Sequence, residues 1–97
     1  MIVEIQCLPR PSGVEGDPYR HVEAAIAEVQ GSGLTYEVGA LGTTVQGDPD
    51  AIWPLVRRVH EACLQSGAAE LVTVLKVEES SGGEASTIES LTGKFRD

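Results

Sequence analysis

Basic residues are scarce in this chain. Lys and Arg number 7 against 15 Asp and Glu, leaving a formal charge of −8. So acidic a surface repels phosphate backbones and anionic lipid, and no local cluster of Lys or Arg offsets it, so neither nucleic acid nor a membrane is an expected partner. Long apolar runs are absent as well, and none approaches the length of a membrane span. The opening "MIVEIQCLPR" lacks the basic start and extended apolar stretch of a secretory signal, which makes the cytoplasm the expected location. Cysteine is rare: Cys7 and Cys63 are the only 2. One disulfide alone is a poor expectation in a chain without an export signal, so both read as buried free thiols. Their spacing to His21 and His60 fits no zinc pattern, and although Cys63 follows His60 by three residues no third ligand is evident, so no metal and no other cofactor is expected. No nucleophile–base pair and no carboxylate pair is visible, which argues against an enzyme. With 97 residues, 41% of them hydrophobic, the chain should form one compact domain with a modest core.

What the sequence does contain is a repeat. Gly-Asp-Pro occurs at Gly16-Asp17-Pro18 and again at Gly47-Asp48-Pro49. Aspartate can accept from the free amides of a first helical turn, and proline suits the first helical position. Asp17 and Asp48 are therefore expected as N-caps, with helices over roughly 18–31 and 50–66 that close at Ser32-Gly33 and Ser66-Gly67. Val22, Ile26 and Val29 mark the apolar stripe of the first helix, and Ile52, Val56, Val59 and Cys63 that of the second, where Pro54 should bend the helix or sit in an irregular turn. "IVEIQCL" at 2–8 alternates with the period of a strand, Val3, Ile5 and Cys7 on one side. "LTYEVGALGTTVQG" reads as a hairpin turning near Leu41-Gly42, and "ELVTVLKV" at 70–77 as a fourth strand. The order strand, helix, strand, strand, helix, strand is that of an α+β, ferredoxin-like βαββαβ sandwich: an antiparallel four-stranded sheet with both helices on one face. A domain over 1–79 is then followed by a linker and a short tail helix over 80–97, with a capping box from Ser86 to Glu89 and Ile88, Leu91 and Phe95 on one side.

The stretch "LTYEVGALGTTVQGDPDAIWPLVRRVHEACLQSGA", with "ELVTVLKVEE" after it, resembles the small YkoF-like family of thiamine-binding proteins. The most specific piece is Gly42, Thr43, Thr44, Val45, Gln46, Gly47 and Asp48, with glutamine where the family usually carries an acid. The resemblance implies a non-enzymatic, cytoplasmic, oligomeric ferredoxin-like protein that binds thiamine or its hydroxymethylpyrimidine moiety, as carrier, buffer or sensor. An acidic chain suits a cationic thiazolium.

Strand alternation supplies the candidate site. With Val3, Ile5 and Val45 facing the helices, Glu4 and Gln6 on the first strand and Thr44 and Gln46 on the third should converge on the open face. Such a face is also polar simply because water covers it, so a ligand site, a subunit interface and plain solvation all remain open. Thr43 at the hairpin, Glu37 and Ser12 complete the ligand-binding candidates, against the readings of an ordinary strand threonine, a solvated edge charge and a loop filler. His21 and His60 are expected at the surface or boundary, and Trp53 over core or interface.

The alternative to a ligand-binding role is a structural or regulatory homo-oligomeric assembly domain. Ile2 and Leu8, with either Val72 and Val74 or Leu71 and Leu75, leave apolar area on the open face, and the tail could clasp a neighbour. A homodimer or a dimer of dimers is expected on that ground.

Overall fold

A computed structural model describes residues 1–96. The chain runs β1 (Ile2–Arg10), α1 (Arg20–Gln30), β2 (Thr35–Val38), β3 (Thr43–Gln46), α2 (Pro49–Gln65), β4 (Glu70–Glu78), α3 (Ile88–Thr92) and a 3-10 turn (Gly93–Phe95). The four strands lie in the order β2-β3-β1-β4, every neighbouring pair antiparallel. This is the ferredoxin-like α+β arrangement that the element order predicts, with α1 and α2 packed together across one face of the sheet.

The core lies between the layers. Val3 and Ile5 of β1 and Val45 of β3 meet Ala25 and Val29 of α1 and Ile52, Leu55, Val59 and Cys63 of α2, all buried. Cys7, Leu71 and Leu75 pack against this cluster from its margin. On β4 it is therefore Leu71 and Leu75 that face the helices, while Val72 and Val74 stay exposed on the open face. The stripe of α1 is rotated from the predicted one, running His21, Ala25, Val29, with His21 only 1% exposed. Sequence reasoning placed His21 at the surface or boundary, and it lies wholly inside. The ring is tolerated inside because its Nδ1 lies 2.7 Å from Ser66 Oγ at the end of α2. A hydrogen bond removes much of the cost of burying that nitrogen.

The two Gly-Asp-Pro triplets serve different ends. Asp48 is the N-cap of α2 and Pro49 its first residue, although the Asp48 carboxylate makes no cap bond and its backbone carbonyl accepts from the Ile52 amide at 2.9 Å. Asp17 is not a cap. It exchanges backbone hydrogen bonds with Val14, at 2.9 and 3.0 Å, in a tight turn that Gly16 makes possible by adopting φ +85°. The first triplet is thus consumed by the turn, the Asp17 carboxylate pairs with Arg20 at 3.2 Å, and α1 begins after Tyr19. α2 runs unbroken through Pro54, which sits on its exposed side, where solvent can take the freed carbonyl of the preceding turn.

The tail folds back on its own sheet. Its capping box is Thr87 with Ser90, one residue later than predicted, each side chain accepting from the other's amide at 2.9 Å. The Ile88 amide donates to Gln46 Oε1 at 2.6 Å, which seats Ile88 over the end of the open face beside Ile2, the cross-strand partner of Gln46. Both isoleucines are buried. Ile88 therefore serves its own chain rather than a neighbour, while Leu91 and Phe95 remain exposed.

The layered core sets a clear contrast for mutagenesis. Leu55→Ala empties a fully buried site and should cost about 2–5 kcal/mol. Leu91→Ala touches a half-exposed side chain and should stay within about 0.5 kcal/mol. Urea titrations of the two variants, read at unchanged slope, check the difference.

Candidate ligand-binding site

Unequal strand lengths create the site. β1 and β4 pair at nine positions, from Ile2↔Glu78 to Arg10↔Glu70, whereas β3 reaches only from Ile2↔Gln46 to Ile5↔Thr43. Beyond Ile5 one edge of β1 has no strand beside it. The Met1 carbonyl accepts from the Gly47 amide at 3.1 Å, which extends the β1–β3 ladder and fixes its phase. Odd-numbered residues of β1 thus aim their backbone groups at β3. Val3 and Ile5 meet that strand. Cys7 does not, and its N–H and C=O point into the gap. Pro9 is the next odd position, so its missing donor removes no ladder bond, which is why proline is tolerated within a central strand here.

The gap opens into a cavity of about 300 Å³ roofed by the hairpin loop Gly39–Gly42 and walled by α1. Ile5, Val22, Ile26 and Val29 give it apolar sides, while Gln6, Thr43 and the Cys7 backbone supply polar groups. Thr43 is 6% exposed; Tyr19, at the mouth, is 64% exposed. Apolar walls with a few placed donors and acceptors suit a flat heteroaromatic ring. On the open face the same loop bounds a shallower depression lined by Glu4, Glu37 and Thr44. Cross-strand pairing sets these residues in one row, Glu37, Thr44, Glu4 and Lys76. Glu4 lies 3.6 Å from Lys76 Nζ. Glu37 lies 2.9 Å from Arg96 Nη2, whose guanidinium also binds Glu89. Gly42 is confined by this row, because a Cβ there would stand 3.2 Å from Glu4 Cγ.

The seven candidate residues therefore divide. Gln6 and Thr43 line the cavity, and Glu4, Glu37 and Thr44 line the depression. Ser12 lies in neither: its hydroxyl donates to the Pro18 carbonyl at 2.7 Å and its own carbonyl accepts from the His21 amide at 3.0 Å, bracing the turn before α1. Gln46 also lies in neither, since it anchors the tail. The four open-face residues do not form one cluster, because Gln6 is past the end of β3 while Gln46 sits one pair beyond the Glu4–Thr44 pair. Sequence reasoning missed the Cys7 backbone, Tyr19 and the loop. Pro9 was the available signal, as proline inside a strand marks an edge without a partner.

Behind the cavity lies a polar knot under the sheet. His60 Nδ1 is 2.6 Å from Thr73 Oγ1, and Cys7 Sγ is 3.9 Å from the same oxygen. Both cysteines are free thiols, and Cys63 is wholly buried. Burial first, then the neighbouring Cys7 thiol, pushes Cys63 up to about 11; burial likewise raises Cys7. Such thiols are poor nucleophiles. Among the described residues no three His, Cys, Asp or Glu side chains gather to hold a metal ion, and no helix is long and apolar enough to cross a membrane.

Comparison with known proteins adds the family. A family model described as "Thiamine-binding protein" matches residues 3–96. A UPF0045 protein of Clostridium perfringens is 30% identical over 94 residues, 97% of this chain and 95% of the relative. Among solved structures, a DUF77 domain of unknown function from Bacillus cereus superposes with TM-score 0.79 at 37% identity, covering 100% of this chain and 92% of that one. A putative thiamine biosynthesis/salvage protein of Thermotoga maritima gives TM-score 0.81 at 29% identity, covering 98% and 97%.

The raised Cys63 thiol has a measurable consequence. Its folded-state value lies above the ordinary 9.0, so in alkali the unfolded chain releases the proton first. Stability attached to this group is complete below about pH 9 and is lost as pH rises toward about 11. Denaturation midpoints measured across that window should fall more steeply for the native sequence than for Cys63→Ala. Parallel curves would contradict this assignment.

Proposed function

Because this chain belongs to the thiamine-binding protein family, we propose that it binds thiamine or its hydroxymethylpyrimidine moiety, without catalysis, as a cytoplasmic carrier, buffer or sensor. One observation carries the reading: the Cys7 amide and carbonyl, left without a strand, face an apolar cavity of about 300 Å³. An aminopyrimidine presents a ring-nitrogen acceptor beside an exocyclic amine donor. That edge can complete the Cys7 backbone pair much as an added strand completes a sheet edge. The apolar walls take the ring faces, and the Thr43 hydroxyl, at the end of β3, reaches a further polar atom of the ring. The thiazolium of thiamine would lie at the mouth. There the Tyr19 ring offers a cation–π contact, Glu4 stands beyond Gln6 on the open face, and the charge of −8 favours a cation's approach. A second reading, a homo-oligomeric assembly domain without a small-molecule ligand, is favoured by the exposed Leu8, Val72 and Val74 on the open face.

Calorimetric titration separates the two. Both thiamine and hydroxymethylpyrimidine should give saturable heat with the purified protein, and no heat at millimolar ligand from a folded sample would eliminate the binding reading. Thr43→Val keeps the shape and removes the hydroxyl, so it should weaken both ligands by about five- to tenfold. Glu4→Gln removes one solvent-exposed charge. It should weaken thiamine by about two- to fivefold while leaving the uncharged pyrimidine unchanged.

A further inference from the structure

Leu41 is the most exposed large apolar side chain among the described residues, at 82%. A single exposed leucine would call for no explanation; its place does. Leu41 stands in the hairpin loop and lines both the cavity under that loop and the open-face depression beside it. Tyr19, likewise exposed, borders the same cavity. On the reading that a thiamine-type ring occupies this cavity, we infer that Leu41 contacts the ligand directly, folding down over the bound ring, and that this contact sets how long the ligand stays.

The chain around Leu41 is built so that little else has to move. β2–β3 pairing ends at Val38↔Thr43. Both strands are fixed just outside the loop, since Thr43 is buried and Glu37 is held by Arg96 at 2.9 Å. Inside the loop the Gly39 amide donates to the Gly42 carbonyl at 2.9 Å, which closes the four residues into one turn. Among the described residues, Ala40 and Leu41 make no backbone hydrogen bond to any other element. The turn can therefore tilt as a unit through small dihedral changes at its two ends, with no bond to break. Gly39, Ala40 and Gly42 leave Leu41 as the one large side chain that such a tilt brings down.

Energetics give the contact its direction. A ring held against Ile5, Val22, Ile26 and Val29 leaves apolar area under the loop. Covering it takes both the ring and the leucine out of water, a gain the empty cavity cannot offer because Leu41 then has nothing to lie on. The contact forms after the ring has entered and must open before it leaves. It therefore acts on departure rather than arrival, where differences in affinity between related complexes are mostly found. The pyrimidine is common to thiamine and hydroxymethylpyrimidine, so both ligands are held in the same way.

NMR titration with hydroxymethylpyrimidine and thiamine reads both the contact and the rates. At saturation the native protein should show nuclear Overhauser contacts between the pyrimidine and the Leu41 methyl groups; a saturated complex without them overturns the inference. Line-shape analysis should give Leu41→Ala a koff raised on the order of tenfold for both ligands, with kon within about twofold of native. Leu41→Met, close in volume, should keep koff within about threefold of native. An unchanged koff in Leu41→Ala, or a loss confined to kon, overturns the inference. Without ligand, the unfolding midpoints of all three proteins should coincide, because the side chain is exposed; a lower midpoint in Leu41→Ala would assign the leucine to the fold and not to the ligand. No saturable signal from the native protein with either compound would mean that the ligand reading fails and that Leu41 has no ring to cover, an outcome distinct from native binding that Leu41→Ala leaves intact.

Discussion

The backbone of β1 has to be satisfied on two sides, and most of the architecture can be read as the way this is done. Along its whole length β4 supplies one side. On the other side β3 supplies only the first half, because the β2–β3 hairpin is short and turns back at Gly39–Gly42. Val3 and Ile5 are fixed in the core by pairing on both edges, so the strand cannot slip without driving Glu4 and Gln6 into the apolar layer. The second half of β1 is held by β4 alone. Rigidity on one flank and a vacant edge on the other give a cavity whose walls are well supported although part of one side is missing.

Periodicity makes the layered plan legible in the sequence. Alternation in β1 and β3 correctly assigned Val3, Ile5 and Val45 to the core and Glu4, Gln6, Thr44 and Gln46 to the far side. It could not say how far each strand extends past its neighbour, and that offset separates Gln6 from Thr44. The first Gly-Asp-Pro shows a second limit. Local chemistry at Asp17 fits a cap and a turn equally well, and Gly13, where a Cβ would collide with the Asp17 carbonyl oxygen, together with Gly16 at φ +85°, decided for the turn. His21 marks a third. It was expected at the surface or boundary, but its partner Ser66 is 45 residues away in sequence, and no local pattern reports such a bond.

Charge is distributed with more order than the net value suggests. The acidic surplus is spread over the surface, while the few basic side chains near the open face are committed to particular carboxylates, Lys76 to Glu4 and Arg96 to Glu37 and Glu89. These pairs are exposed, and each contributes little to stability. Their effect is on geometry: Arg96 ties the last turn of the chain to β2 just as the Gln46 side chain ties the start of α3 to β3. The tail is thus attached at both ends to the hairpin that roofs the cavity.

Pro9 sets the size of what the bare edge can hold. An incoming peptide strand needs several donors and acceptors in alternate succession, and beyond Ile5 the edge provides only one complete set, at Cys7, before proline withholds the next donor. A ring with a single two-point edge loses nothing by this, whereas a polypeptide would be held by one residue and would have to leave the rest of its backbone unsatisfied. The same imino acid that interrupts the strand therefore acts as a filter: the opening can receive small planar molecules without becoming a template on which other chains aggregate.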